Sequence, residues 1–329
     1  MKAVTYRDYG TTDVLRIEDV DVPTAAEGQV LVAVRAASVN AVDWHRMTGL
    51  PYLVRASEGL SKPKSGRLGA DLAGIVSAIG PGVTRFGVGD EVFGQSAKTL
   101  AEYAVVKEEG LVRKPSVVTF EQAAAIPLAA GTALQGLRDH GGIASAQRVL
   151  ICGAGGGVGT FAVQLARILG AEVTATSRAD NLELLHELGA TRAIDYEAED
   201  VAASGEKFDL IFDLSGRQPI GRLRRILTDR GSLVLCGAPK GEWIAPIASM
   251  VGGPIRSVFS HQRIGTFLEH RSAEDLVSIA GWVESSELRA VIDSVYPFSE
   301  TAVAIRHLQD GPVTGKVVVV FGAAKPSPG

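Results

Sequence analysis

The sequence predicts an α/β protein in two parts, a compact antiparallel β domain and a doubly wound parallel sheet. Three observations carry this. The chain has 329 residues, more than a single core usually covers. From Arg148 onward, apolar strand-like runs alternate with amphipathic helical ones, the rhythm of a parallel sheet with helices on both faces. Before about residue 120 that alternation is missing, and short β-type runs stand between Gly, Pro and Asp turns.

Taken in order, the N-terminus (MKAVTYRDYG) enters directly into a strand-like pattern rather than a leader sequence. Residues 29–36, 74–79 and 91–93 read as strands, bounded by turns such as Gly80-Pro81-Gly82 and Gly87-Val88-Gly89-Asp90. Between them, residues 38–46 are polar and aromatic at once, and residues 51–67 read as a long loop of the kind that often carries function. Thr119 and Gln122 form a capping box that starts an alanine-rich helix. Pro127 should interrupt or kink it, and residues 131–134 restart it.

The apolar run 149–152 then has the length and character of a buried parallel strand. A glycine turn follows, then a helix with apolar residues at 158, 161, 162, 165, 168 and 169 that stops at Gly170. A second strand covers 172–176. Leu182, Leu185 and Leu188 line one face of the next helix, which ends at Gly189. Strands follow at 192–195 and 208–213, then a helix at 220–227, a turn at 229–231 and a strand at 232–236. Residues 290–296 read as a strand, Ser299 as the cap of a helix through Leu308, and 316–321 as a final apolar strand. The last eight residues read as a frayed tail.

The chemistry lies first in the glycine turn, Gly153-Ala154-Gly155-Gly156-Gly157-Val158-Gly159. Strand, glycine turn, helix and second strand are the first half of a dinucleotide-binding unit. The glycines permit a tight turn and close approach of backbone to a pyrophosphate. The helix N-terminus offers free N–H groups and a positive dipole end to it. Gly155, Gly156, Gly157 and Val158 are therefore cofactor-binding candidates.

Composition narrows the rest. Hydrophobic residues at 46% and charged residues at 21% describe an ordinary globular protein. A net charge of −4 with no Lys/Arg stripe argues against a nucleic-acid partner. No apolar run reaches membrane-spanning length. Cys152 and Cys236 both fall in expected strands, so buried thiols and a reducing, cytoplasmic location are expected.

Several spaced motifs, in order, cover nearly the whole chain. They are Ser38-Val39-Asn40 with Asp43, Gly69-Ala70-Asp71-Leu72-Ala73-Gly74, Val88-Gly89-Asp90-Glu91-Val92-Phe93-Gly94, the glycine turn, and Thr314-Gly315-Lys316-Val317-Val318. Together they resemble the medium-chain dehydrogenase/reductase superfamily, and more closely its zinc-independent NADPH:quinone oxidoreductase-like branch. The resemblance implies a GroES-like β domain over 1–121 and 290–329, and a Rossmann domain over 122–289. The active site would lie in the cleft between domains.

Zinc-dependent relatives hold a catalytic metal with Cys, His and a further Cys or acidic group. At the corresponding places this chain has Asn40, Ala70 and Asp71, so no metal is expected. The second Rossmann strand ends in Thr176-Ser177-Arg178 with no acid before Asp180. An acid there reads the ribose hydroxyls of NAD; small polar and basic groups hold the 2′-phosphate of NADPH. Ser177 and Arg178 therefore favour NADPH. The resemblance adds Tyr196 beside that phosphate, and Thr132, Ser215, Gly237, Ala238, Phe259 and Lys316 as further cofactor contacts. It makes Asn40 a hydrogen-bonding group on the nicotinamide or substrate side.

Asp43 and His45 are candidates to supply or relay a proton. Asp71 reads as structural, and His261 and Gln262 as lining the cleft. The implied activity is hydride transfer from NADPH to quinones or similar electron-poor carbonyl compounds. An NADPH-dependent enoyl or alkenal double-bond reductase is the alternative, and it needs a proton donor at the α-carbon. A non-catalytic, crystallin-like nucleotide-binding protein is the reading of another class. Substrate choice lies in loops 51–67 and 252–270. The strand-like run 256–260 should fall at the sheet edge and pair with a second copy, giving a homodimer.

Overall fold

The computed structural model describes residues 1–236 and 261–322. They divide into two units, residues 1–128 with 271–329 and residues 129–270.

In the first unit, β1 (Lys2–Thr5) and β2 (Arg16–Asp19) form an antiparallel ribbon. The main sheet is built on β3 (Gln29–Val39), which pairs antiparallel with β4 (Asp71–Ile79) and β6 (Tyr103–Lys107). Strand β5 (Glu91–Gln95) extends β4, and β7 (Leu111–Arg113) extends β5. From the far end of the chain, β15 (Lys316–Val320) joins β3 antiparallel, with β14 (Ile292–Pro297) parallel outside it. The implied return of the last strands into the N-terminal sheet is therefore present. Inward-facing Val32, Val34, Leu72, Val76, Val92, Val317 and Val319 make the core. The helix Ala273–Glu284, inside the range 122–289 expected for the Rossmann domain, packs on β7 and lies in this unit.

The second unit is a six-stranded parallel sheet of order β10-β9-β8-β11-β12-β13. Its strands are β8 (Arg148–Cys152), β9 (Glu172–Ser177), β10 (Arg192–Asp195), β11 (Phe208–Asp213), β12 (Leu227–Leu235) and β13 (Arg263–Thr266). The order reverses between β8 and β11, which places the ligand crevice of this architecture at their carboxyl ends. Val149, Leu150 and Ile151 are fully buried, as an apolar run covered by helices on both faces requires.

Local differences have local causes. Residues 51–67 carry a 3-10 turn (Tyr52–Val54) and one helical turn, α2 (Arg55–Glu58), while 41–48 form helix α1 (Ala41–Thr48). The capping box at Thr119 forms as expected and opens α3 (Phe120–Ala124). Pro127 does not kink a continuing helix; it is the first residue of α4 (Pro127–Gln135), where its missing N–H costs nothing. Thr132 is thus inside α4, not at a restart. Residues 229–231 are no free turn. Phe208 pairs with Leu227 and Leu210 with Ser232, so the intervening residues form a bulge within β12. Ser299 is not a helix cap; it lies in a 3-10 turn, and the helix Thr301–Asp310 starts after it. Cys152 is buried in β8, and burial pushes its thiol up. Cys236 is exposed just past β12, so only one of the two expected buried thiols is buried. Among the described residues no helix is long and apolar enough to cross a membrane. Gly237, Ala238, Phe259, the run 256–260 and the tail beyond residue 322 lie outside the described residues.

Candidate functional site

In the second unit, β8 delivers the chain into the glycine turn and α5 (Gly157–Ile168) leaves it. The turn is tied to the second strand, since Gly153 and Ala154 N–H both donate to Thr176 O, at 3.2 and 2.9 Å. The helix ladder begins with Thr160 N–H to Gly156 O at 3.0 Å. The N–H groups of Gly157 and Val158 precede that bond, and both residues are half-exposed at the turn's tip. That is an anion cradle of backbone donors.

Two glycines are required by packing. A Cβ on Gly159 would stand 2.4 Å from Gly153 O and 2.6 Å from Ala154 Cα. One on Gly155 would meet Asn181 Nδ2 at 2.3 Å and Ser177 Oγ at 2.4 Å. The turn therefore rests directly on the end of β9. There the buried Ser177 hydroxyl accepts a hydrogen bond from Asn181 Nδ2 at 2.9 Å. Arg178 follows, half-buried, and its Nε is buried with no hydrogen-bond partner. A buried guanidinium nitrogen left unmatched is costly unless an acceptor arrives.

Tyr196 N–H donates to Ser177 O at 3.1 Å, which fixes that residue beside the same strand end. At the end of β11, Asp213 Oδ1 accepts from Ser215 N, Gly216 N and Ser215 Oγ, at 3.0, 3.0 and 2.8 Å. Ser215 thus shapes this turn with its hydroxyl. The residues present fit a dinucleotide. The backbone cradle offers donors to a pyrophosphate, and the Arg178 guanidinium, with its Nε unmatched, stands at the end of the second strand.

In the first unit, the register of β3 with β15 and β4 brings Ser38, Asn40, Asp71 and Lys316 into one buried cluster. Asp71 Oδ2 accepts from Ser38 Oγ at 2.6 Å and from Asn40 Nδ2 at 3.0 Å; its Oδ1 accepts from Leu128 N–H at 2.9 Å. Asn40 Nδ2 also donates to Ser38 O at 3.2 Å. Asn40 Oδ1 accepts from the Lys316 ammonium, which lies 4.0 Å from Asp71 Oδ2. Burial pushes the Asp71 carboxyl up and the Lys316 ammonium down, while each charge opposes the shift of the other.

Asn40 therefore uses both ends of its amide within the cluster. Lys316 donates into the same cluster. Asp43 is fully buried, with Oδ1 on Gly69 N–H at 2.7 Å and Oδ2 on Asn40 N–H at 2.9 Å. Burial pushes its carboxyl up to about 6, against the pull of those two bonds. His45 is exposed on α1 and donates from Nδ1 to Leu50 O at 2.7 Å, so these bonds do not join it to Asp43. Asp71, read from sequence as structural, is the hub of the cluster. Gln262 Nε2 donates to the Arg224 and Thr228 carbonyls, at 3.1 and 3.3 Å. His261 is exposed.

Sequence reasoning missed Asn181 and Arg217. Arg217 had one available signal, a basic residue just past the carboxyl end of a strand at the order reversal.

The alcohol dehydrogenase GroES-like domain family matches residues 26–116, and the zinc-binding dehydrogenase family matches residues 188–319. A 2-methylene-furan-3-one reductase of Solanum lycopersicum is 35% identical over 97% of this chain and 79% of its own length. A chloroplastic NADPH-dependent alkenal/one oxidoreductase of Arabidopsis thaliana is 32% identical over the same shares of each chain. The solved quinone oxidoreductase of Coxiella burnetii superposes with a TM-score of 0.83 at 29% identity, over 97% of this chain and 99% of its own. The donor set does not fit the zinc of the second family's name. Asn40, Ala70 and Asp71 stand at the expected ligand places, Asp71 is already committed, and no group of three metal-ligating side chains occurs among the described residues.

Proposed function

We propose, since this chain belongs to the medium-chain dehydrogenase/reductase superfamily and to its quinone-oxidoreductase-like branch, that it is a zinc-independent, cytoplasmic, homodimeric enzyme passing hydride from NADPH to quinones or similar electron-poor carbonyl compounds. The reduced nicotinamide supplies the hydride when the cofactor is bound. The N–H groups of Gly157 and Val158 hold the pyrophosphate, with Gly155 and Gly156 giving it access. Ser177, Arg178 and Tyr196 hold the 2′-phosphate. The observation that carries this reading is the unmatched Arg178 Nε at the end of β9.

Asn40, Asp43, Asp71 and Lys316 act here as positioning residues, because their polar atoms are bonded to one another and to backbone. An acceptor that draws its proton from water, as a quinone does, suits such a site. The alkenal and enone relatives support a second reading, reduction of a conjugated carbon–carbon double bond. Oxidation of NADPH, followed by absorbance against a quinone panel and an enal panel, separates the two. Quinones are expected to show the higher kcat/KM by at least tenfold. Turnover of enals alone would establish the second reading, and oxidation with neither panel would reject both.

Cofactor choice gives a sharper test. Losing a charge-assisted guanidinium–phosphate contact costs roughly 1.5–3 kcal/mol. Arg178→Ala should raise the NADPH Kd by an order of magnitude or more and leave NADH nearly unchanged, measured by fluorescence titration. Equal losses for both cofactors would remove Arg178 from the phosphate site. For the dimer, β13 is the last strand of the parallel sheet among the described residues, and an uncovered edge leaves ladder groups unpaired. Light scattering at micromolar concentration should give twice the chain mass; a single-chain mass would reject the pairing.

A further inference from the structure

We propose that Arg217, which neither the motifs nor the strand-end pattern assigned, is a second cation for the cofactor's 2′-phosphate and a determinant of NADPH preference. The inference rests on the NADPH reading above and adds a residue to it. Its guanidinium lies 4.3 Å from the centroid of the Tyr196 ring, and its Nη1 donates to Tyr196 Oη at 3.2 Å. Tyr196 is in turn fixed to Ser177 by the backbone bond to Ser177 O. A charge from the end of β11 is thereby held against the residue that flanks the end of β9.

The turn that delivers it is built for the purpose. Asp213 gathers three donors from Ser215 and Gly216, and the Ser215 hydroxyl accepts from Arg217 N–H at 3.3 Å. Among the described residues neither Arg178 nor Arg217 has a carboxylate partner, whereas arginines nearby do. Arg192 pairs with Glu199 and Glu206, and Arg222 with Asp200. Arg178 follows β9 and Arg217 is held on Tyr196, whose backbone is bonded to Ser177, so a dianionic phosphate at that strand end would have two guanidinium groups free of carboxylates to bind. Stacking on Tyr196 orders the Arg217 side chain beforehand, which reduces the entropy lost when the phosphate binds.

The test uses the intact protein and two ligands without nicotinamide, 2′-phospho-ADP-ribose and ADP-ribose, titrated by calorimetry. Wild type should prefer the phosphorylated ligand. Arg217→Ala should weaken it five- to twentyfold, leave ADP-ribose within twofold, and lower the salt dependence of binding. Arg217→Lys should fall between, since it keeps the charge and loses the stacked fork. If Arg217→Ala changes neither ligand, or both equally, while Arg178→Ala loses only the phosphorylated one, Arg217 has no phosphate role and the NADPH reading stands. If wild type does not discriminate and Arg178→Ala changes nothing, the NADPH reading itself falls.

Discussion

Replacing Gly159 with alanine is expected to abolish dinucleotide binding and to lower the melting temperature by about 10 °C. The single added carbon would stand 2.4 Å from Gly153 O and 2.6 Å from both Ala154 Cα and Ala154 O. All three are backbone atoms of the glycine turn, and no side-chain rotation can clear them. Either α5 moves off β8 or the turn reshapes, and each outcome removes the N–H cradle at Gly157 and Val158. Overpacking against backbone costs roughly 3 kcal/mol or more. Gly156→Ala is the control. Its Cβ would meet only Gly153 O, at 3.6 Å, an ordinary contact. That variant should melt within a few degrees of wild type. A Gly159→Ala protein that melts like wild type and binds NADPH normally would show that the turn does not depend on this contact.

Lys316→Met should destabilise the first unit by about 3–5 kcal/mol at pH 8, read by urea denaturation. A buried ion pair adds little net stability over an apolar pair, because desolvation offsets attraction. Removing one partner is different, since the other charge stays in a dry site. Without the ammonium, Asn40 Oδ1 loses its donor and Asp71 keeps a buried charge with only Ser38, Asn40 and Leu128 to hold it.

The pH dependence has a defined sign. Burial already pushes the Asp71 carboxyl above its ordinary value, and Lys316 opposes that. With Lys316 gone, the folded protein binds the Asp71 proton more tightly than the unfolded chain does. Stability of the variant then falls as pH rises through that raised value, so its deficit should be smaller at pH 5 than at pH 8. Asp71→Asn in the same background should recover part of the loss at pH 8. A deficit below about 1 kcal/mol at both pH values would mean that Lys316 reaches solvent in the folded protein.

These two sites differ in how far the chain itself announces them. The glycine turn was legible because its causes are local. A buried apolar strand, residues without Cβ, a helix start and a second strand follow one another within residues 148–177, and each leaves a pattern a few residues long. The parallel character of the second sheet and the capping box at Thr119 were legible for the same reason. The family motifs also placed Asn40 and Lys316 in a site, but not what they do there.

That was decided by register. Asn40 and Lys316 lie 276 positions apart and meet only because β15 pairs with β3, and Asp71 joins them only through β4. No local pattern shows that such an amide has its donors and acceptor already matched. Arg217 is the same case in the second unit, since its position depends on a turn reaching from β11 to Tyr196. Pro127, Ser299 and Cys236 mark a smaller boundary, where local propensity gives the residue's preference but packing fixes where the element begins or ends. Sequence by itself therefore determined the two-part fold and the nucleotide cradle, which rest on hydrophobic period and steric freedom. Tertiary structure alone decided which polar side chains stay available for a ligand, because that depends on burial and on partners brought from distant strands.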